Sequence, residues 1–270
     1  MGSFLDLFSD VAGLWEKYHS QYLNGALSTI ELAVAATLVG CIIGLACGIL
    51  NTIPCAKTDN IAKRAVLAVI RAIIRVYVEV FRGTPMILQA VFIYFALPYF
   101  SNNTIRLDMV FAAYLVVSIN TGAYMAETVR GGILSIDIGQ TEGAKAVGMN
   151  HFQTMLYVVL PQTLRNILPQ IANNLIINIK DTSVMFIIGY SELFAVHKGI
   201  TGATYQYFPS AVISMVIYLI MTVVSSVLLR LWESRMDGPE NFDITTTDSL
   251  AHTSGMISYV RKKGKGGAKR

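Results

Sequence analysis

Charge is scarce in this chain: Asp, Glu, Lys and Arg make up 14% of its residues, against roughly 25% in an ordinary soluble domain. That shortage, beside 54% hydrophobic residues and a mean hydropathy of +0.54, excludes a typical water-soluble fold and points to a polytopic membrane protein. Cysteine is nearly absent. Cys41 and Cys47 fall within an apolar run and Cys55 just beyond it, with neither metal-like nor redox-like spacing, so they read as packing residues. The four histidines, His19, His151, His197 and His252, are scattered rather than clustered. The motifs HExxH, CxxC and GxSxG are missing, and so is the phosphate-binding GxxxxGK[ST]. The glycines and lysines near the C-terminus lack the hydroxyl residue, strand and helix that would frame a phosphate. An enzyme reading therefore has no residues to stand on, and the energy for any active transport must come from a partner or an ion gradient. The first 25 residues hold Asp6, Asp10 and Glu16 against Lys17 and no basic n-region, so they do not read as a cleavable signal peptide.

What the chain does have is long apolar runs. Leu32 to Ile53 is 22 residues without a charge, enough for one crossing of about 30 Å of hydrocarbon, with Pro54 as its stop. Gly40, Gly44 and Gly48 recur every four residues along it, a stripe that lets another helix approach closely. Residues 1–25 read as an interfacial segment with Phe4, Leu5, Phe8, Leu14 and Trp15 as anchors. Residues 26–235 read as a transmembrane domain and 236–270, ending in RKKGKGGAKR, as a disordered, solvated basic tail rather than a nucleic-acid site.

Four arginines follow the first span: Arg64, Arg71, Arg75 and Arg82, spaced 7, 4 and 7 residues apart. At 100° per residue they lie within about 40° of one another, so this segment predicts an amphipathic helix starting at the interface, with Glu79 pairing to Arg75. A second uncharged run covers Gly83 to Ile105, and a third span runs from Met109 to about Val129. The fourth, Asn166 to Ile179, is only about 14 residues. It needs extension, either backwards through Leu156 to Leu164 or discontinuously into Val184 to Tyr190. The fifth lies within Gly199 to Leu229 and is closed by Arg230 and Arg235. Basic residues dominate after spans one, three and five, so the charge asymmetry predicts five crossings with the N-terminus outside and the C-terminus in the cytoplasm.

Between spans three and four lies a polar hairpin, GQTEGAKAVGMNHFQTMLYVVLP, residues 139–161. Thr141 can cap its first helix, Glu142 suits the positive end of the dipole, and Gly148 can end the helix in the left-handed conformation. Asn150 with Gln153 three residues later suggests a capping box for the second helix, and Pro161 limits or kinks the helix beyond it. These residues resemble the cytoplasmic signature of the permeases of ABC importers. The match is carried by Glu142, Ala144, Gly148 and Leu160-Pro161. The departure is Gly143 in place of alanine, which loosens the first helix by about 1 kcal/mol. Phe81-Arg82-Gly83-Thr84-Pro85 with Gln89, the phrase Gly122 to Gly132, and Lys180-Asp181-Thr182-Ser183 narrow the resemblance to polar amino-acid permeases.

That resemblance implies an all-α, MetI-like type I importer permease of about five transmembrane helices in the bacterial cytoplasmic membrane. The hairpin would be the coupling helix, with Glu142, Gly143, Ala144, Gly148 and Pro161 seated against an ATPase. It implies two ATPase subunits that bind ATP and Mg, with no cofactor in this chain. It also implies a second permease, the same chain or a sister, and an external or periplasmic solute-binding protein. Its substrate would be a polar L-amino acid. Polar groups at membrane depth mark substrate paths because burial is costly for them. On that ground Gln89, Asn120, Glu127, Arg130, Asn173, Asn174, Lys180 and Asp181 are candidates for the path. Glu127–Arg130 and Lys180–Asp181 could instead be simple helix-end ion pairs. An ion-coupled secondary transporter or channel using Glu127 and Asp181 is the rival reading, and a membrane scaffold is a third.

Overall fold

The computed structural model describes residues 4–56 and 59–236, so the C-terminal tail lies outside the described residues. Nine α-helices and no strand occur among the described residues. They are α1 (Phe4–Thr52), α2 (Ile61–Gly83), α3 (Met86–Phe100), α4 (Met109–Leu134), α5 (Ile138–Ala146), α6 (His151–Gln153), α7 (Leu160–Asp181), α8 (Leu193–Thr204) and α9 (Tyr207–Met236). A π-helical segment, Thr154–Val159, joins α6 to α7, and a 3₁₀ segment, Thr182–Ile188, extends α7.

The expected interfacial segment and the first span are one uninterrupted helix of 49 residues. Charges at Asp6, Asp10, Glu16 and Lys17 divide it by composition, but nothing between them breaks a helix. Leu14 is not a lipid anchor: it is buried in a cluster with Tyr22, Ile200 and Ile213. Phe8 and Trp15 remain exposed.

Among the described residues, four helical stretches are long and apolar enough to cross a membrane: Asp6–Thr52, Met109–Leu134, His151–Ile188 and Tyr207–Trp232. The expected second span is shorter than its uncharged run. Pro85 starts α3 and left-handed Asn102 and Asn103 follow its end, leaving 15 residues. At 1.5 Å per residue that helix is about 22 Å long, less than the hydrocarbon thickness. The fourth span uses both extensions at once, running from His151 through the 3₁₀ turns to Ile188, where left-handed Gly189 ends it. The fifth starts within its expected bounds, at Tyr207, after left-handed Tyr205 separates α8 from α9, but its helix runs on through Arg230 and Arg235 to Met236.

The glycine stripe of α1 works as a contact. A Cβ at Gly44 would stand 2.3 Å from Met125 Cβ, and those at Gly40 and Gly48 would collide with Thr121 and Val129. Only glycine lets α1 lie this close to α4. Three buried clusters hold the rest. One gathers Leu32, Ala113, Val117 and Met185, the second joins the N-terminal part of α1 to α8 and α9, and the third packs Val129 and Ile133 on Val159 and Ile167. Apolar side chains such as Met215, Leu219, Val223 and Leu228 of α9 point outward, as lipid contact requires.

Glu192 fastens the α8 end of the bundle. It is fully buried, and its carboxylate accepts from the Phe194 and Ala195 N–H groups at 2.9 and 2.7 Å, as the N-cap of α8. The Tyr218 hydroxyl of α9 donates to it at 2.7 Å, and Thr29 of α1 donates at 3.5 Å. Desolvation pushes its carboxyl above the ordinary value of 4.5, outweighing these donors. As pH rises from that value the unfolded chain ionises first, so Glu192's contribution to stability falls until the folded group ionises too. Glu192→Gln removes that slope, and it costs about 1–3 kcal/mol because an NH₂ now faces donors. Thermal unfolding of the purified chain at a series of pH values above 4.5 checks both effects.

Candidate functional site

The polar hairpin is built by local rules. Asp137, not Thr141, caps α5: its carboxylate accepts from the Gly139 N–H at 2.6 Å, and Thr141 lies inside the helix. The carboxylate four positions earlier is the stronger acceptor for orphan N–H groups, so the helix starts there. Gly148 has φ +86°. Around it the Gly148 and Met149 N–H groups donate to the Lys145 and Ala144 carbonyls, each at 3.0 Å, a Schellman closure. The capping box is complete, with Asn150 Oδ1 accepting from the Gln153 N–H and Gln153 Oε1 from the Asn150 N–H, both at 2.9 Å.

Pro161 has no N–H for the Tyr157 carbonyl, and its ring crowds that turn. The chain takes up the misfit in the π-helical turns just before it, where the Leu160 N–H donates to Met155 O. Ala144 is buried against these turns, while Glu142, Gly143 and Gly148 are exposed. Ile138, Val147 and Phe152 stay more than 70% exposed around them, an apolar rim beside Glu142. A Cβ at Gly143 meets nothing within 4 Å, so alanine would fit there and the departure from the signature costs propensity alone.

The path candidates separate into distinct places. A polar cavity of about 410 Å³ lies between the α2–α3 break, α4 and α7. Asn120, Asn174 and Asp181 line it, joined by Thr84, Thr121, Tyr124, Gln170 and Asn178. Asp181 is the one charged side chain in that lining. Gln89 sits just behind it: its Nε2 donates to the Phe81 and Thr84 carbonyls at 2.9 and 3.0 Å, and its Oε1 accepts from Asn120 Nδ2 at 2.9 Å. It thereby serves the carbonyls left open where α2 stops.

Lys180 faces another groove, with Phe194, Met215 and Tyr218, because successive helical residues point about 100° apart. It makes no ion pair with Asp181. Asn173 is on the exposed face of α7. Glu127 and Arg130 pair with each other within a different, arginine-rich cleft. The expected Arg75–Glu79 pair does not form. The only ion pairs among the described residues are Glu127–Arg130 and Lys63–Asp59.

Sequence reasoning missed Asn178, the polar hub of the bundle. Its Nδ2 donates to Thr37 of α1 at 2.8 Å and Thr121 of α4 at 3.0 Å. The signal was there, since Gln170, Asn174, Asn178 and Asp181 recur at spacings of 4, 4 and 3 and so share one helix face.

Apolar crossings, a polar cavity among them and a rigidly capped hairpin between two of them define a polytopic membrane permease subunit, a transporter rather than an enzyme. Residues 61–238 match the family described as binding-protein-dependent transport system inner membrane component, and the chain belongs to that family. It is an integral inner-membrane protein. It is 38% identical over 214 residues to the glutamine transport system permease protein GlnP of Escherichia coli (strain K12), covering 79% of this chain and 92% of the relative. To the probable amino-acid permease protein YxeN of Bacillus subtilis (strain 168) it is 31% identical, over 78% of this chain and 89% of the relative. A crystal structure of an amino acid ABC transporter with histidines superposes with a TM-score of 0.70 at 31% identity, covering 87% of this chain and 99% of the other. The inward-facing MetNI methionine ABC transporter shares the fold at a TM-score of 0.61 and 21% identity, over 82% and 96% of the two chains. The MetI-like type I permease fold is thus the fold of this chain.

Proposed function

We propose that this chain is the translocation subunit of an ATP-driven importer for polar L-amino acids, and that its hairpin transmits the drive. In this reading the N-terminus is outside and the hairpin and C-terminus are cytoplasmic, which the distribution of Lys and Arg supports. Glu142 and the apolar rim around it dock in a partner ATPase, and two such subunits bind ATP and Mg. A second permease, this chain or a sister, completes the pathway, and a solute-binding protein delivers substrate from the external or periplasmic side. The amino-acid substrate follows from the relatives' names and from the cavity, whose one carboxylate and several amides suit an ammonium and a carboxylate.

The observation that carries the proposal is the hairpin itself. It is a polar, doubly capped element set between two apolar crossings, with an exposed acid and a left-handed glycine, in a chain of this family. Of the two acids on which the ion-coupled rival relies, Glu127 is paired with Arg130, and Asp181, in the polar cavity, alone stands without an ion pair among the described residues. Vesicles holding this chain, its companion chains and the binding protein should take up labelled amino acid only with internal ATP and Mg. Uptake by the chain alone on an ion gradient would overturn the proposal in favour of the rival.

A further inference from the structure

The arginine-rich cleft has no part in the coupling hairpin or the polar cavity. It has a volume of about 670 Å³, between the end of α1, the length of α2 and the last turns of α4. Arg71, Arg75, Arg82 and Arg130 line it against only Glu79 and Glu127. Glu127 is taken by Arg130, and Glu79 forms no ion pair among the described residues. Arg71 gives one guanidinium nitrogen to the Ile53 carbonyl beyond α1, while its buried Nε has no hydrogen-bond partner. Arg82 stands 5.4 Å over the Tyr124 ring, which holds its guanidinium without neutralising it. The cleft thus holds a surplus of positive charge, supplied by the residue type that best grips a phosphate in a fork.

The surroundings favour a lipid phosphate over a free one. The opposite face of α2 exposes Val66, Val69, Ile73 and Val76, each at least 57% exposed. One helix therefore presents a basic side to a headgroup and an apolar side to acyl chains. Leu134, in the wall of the cleft, ends α4 four residues before the hairpin helix begins at Ile138. This places the mouth of the cleft at the hairpin end of the bundle, the cytoplasmic leaflet if the proposed orientation holds, while Arg82, over Tyr124 ten residues back along α4, lies about 15 Å deeper. We propose that the cleft binds the headgroup of an anionic phospholipid of that leaflet, its phosphate held by Arg75 with Arg71 behind it and drawn inward by the charge of Arg82 further along α2. The site rests on the proposed orientation and not on the coupling role.

The test is native mass spectrometry of the full-length purified chain titrated with phosphatidylglycerol or with phosphatidylcholine of the same acyl chains. The wild type should retain phosphatidylglycerol with at least about tenfold preference, the scale of one or two charge-assisted contacts. The double variant Arg75→Gln, Arg82→Gln should bring that ratio close to one; both residues are exposed, so the bundle keeps its packing. Equal retention of the two lipids by the wild type, or an unchanged preference in the variant, overturns the site. Displacement of the lipid by millimolar inorganic phosphate overturns the lipid assignment in favour of a soluble phosphate. A variant that loses association with a second permease chain shows the cleft to be a subunit interface and overturns it as well. Orientation is read separately from Cys55, exposed between α1 and α2. Its labelling by an impermeant thiol reagent from outside sinks the topology, while a negative lipid result with Cys55 protected sinks the headgroup site alone.

Discussion

Gly148→Val abolishes ATP-driven uptake while the chain still inserts in the membrane. Gly148 holds φ +86°, and the two hydrogen bonds closing α5 run through its own N–H and that of Met149. Space is no obstacle, since a Cβ there meets nothing within 4 Å, so the cost is backbone strain alone. A β-branched residue held at positive φ costs about 1–3 kcal/mol, and more easily gives up the turn than bears that cost. Losing the turn swings α5 away from the π-helical segment on which Ala144 is buried, and Glu142 leaves its place on the exposed rim. The expected series is ordered. Gly148→Ala lowers uptake, Gly148→Val takes it to background, and Gly143→Ala, at an open site inside the same helix, retains it or improves it. Glu142→Lys gives the same loss by another route: the side chain is exposed, so the hairpin folds, but an acid is replaced where a docking partner meets it. Membrane yield, co-purification with the ATPase and uptake are measured on all four. Normal uptake by Gly148→Val or Glu142→Lys would remove the hairpin from the coupling path.

The hairpin is legible in sequence because everything that shapes it is local. Caps, a left-handed glycine and a proline act within a few residues, so Gly148, Asn150 with Gln153, and Pro161 can be read directly. The one difference, Asp137 rather than Thr141 as the cap, is a choice between two valid caps four residues apart. Charge is a poorer guide to boundaries. Asp10, Glu16 and Lys17 suggest a break between an interfacial piece and a span, although the helix runs through all of them. Sequence reading also fails where long-range contacts decide. Arg75 and Glu79 have the spacing of a pair, but the cleft between three helices gives each of them elsewhere to point. Glu192 carries no signal, because its burial depends on Thr29 and Tyr218, each more than 20 residues away. The sorting of Asp181 into the polar cavity and Lys180 away from it is a matter of helix phase. That phase is available from the spacing of Gln170, Asn174 and Asn178.

Asp181→Asn should raise the concentration of amino acid needed for half-maximal uptake by about 10–100-fold, with hairpin docking unchanged. Asp181 is the only charge lining the 410 Å³ cavity, so it is the natural partner of a substrate ammonium, with Asn174 and Gln170 left for the carboxylate end, since Asn120 spends both amide hydrogens on Phe81 O and Gln89 Oε1. A hydrogen bond to a charged group is worth about 1.5–3 kcal/mol, which sets the expected range. The asparagine keeps size and one acceptor, so it removes the charge with the least disturbance to packing. Two companions sharpen the result. Lys180→Gln, one residue away but facing the groove of Met215 and Tyr218, should leave half-saturation where it was. Asn178→Leu should destabilise the bundle, because Thr37 and Thr121 lose their common partner, and its defect should show as lost protein rather than as a shifted half-saturation. If Asp181→Asn and Lys180→Gln behaved alike, or if the asparagine lowered yield without touching half-saturation, the carboxylate would be structural. The substrate's positive charge would then have to be met by groups of a second permease chain.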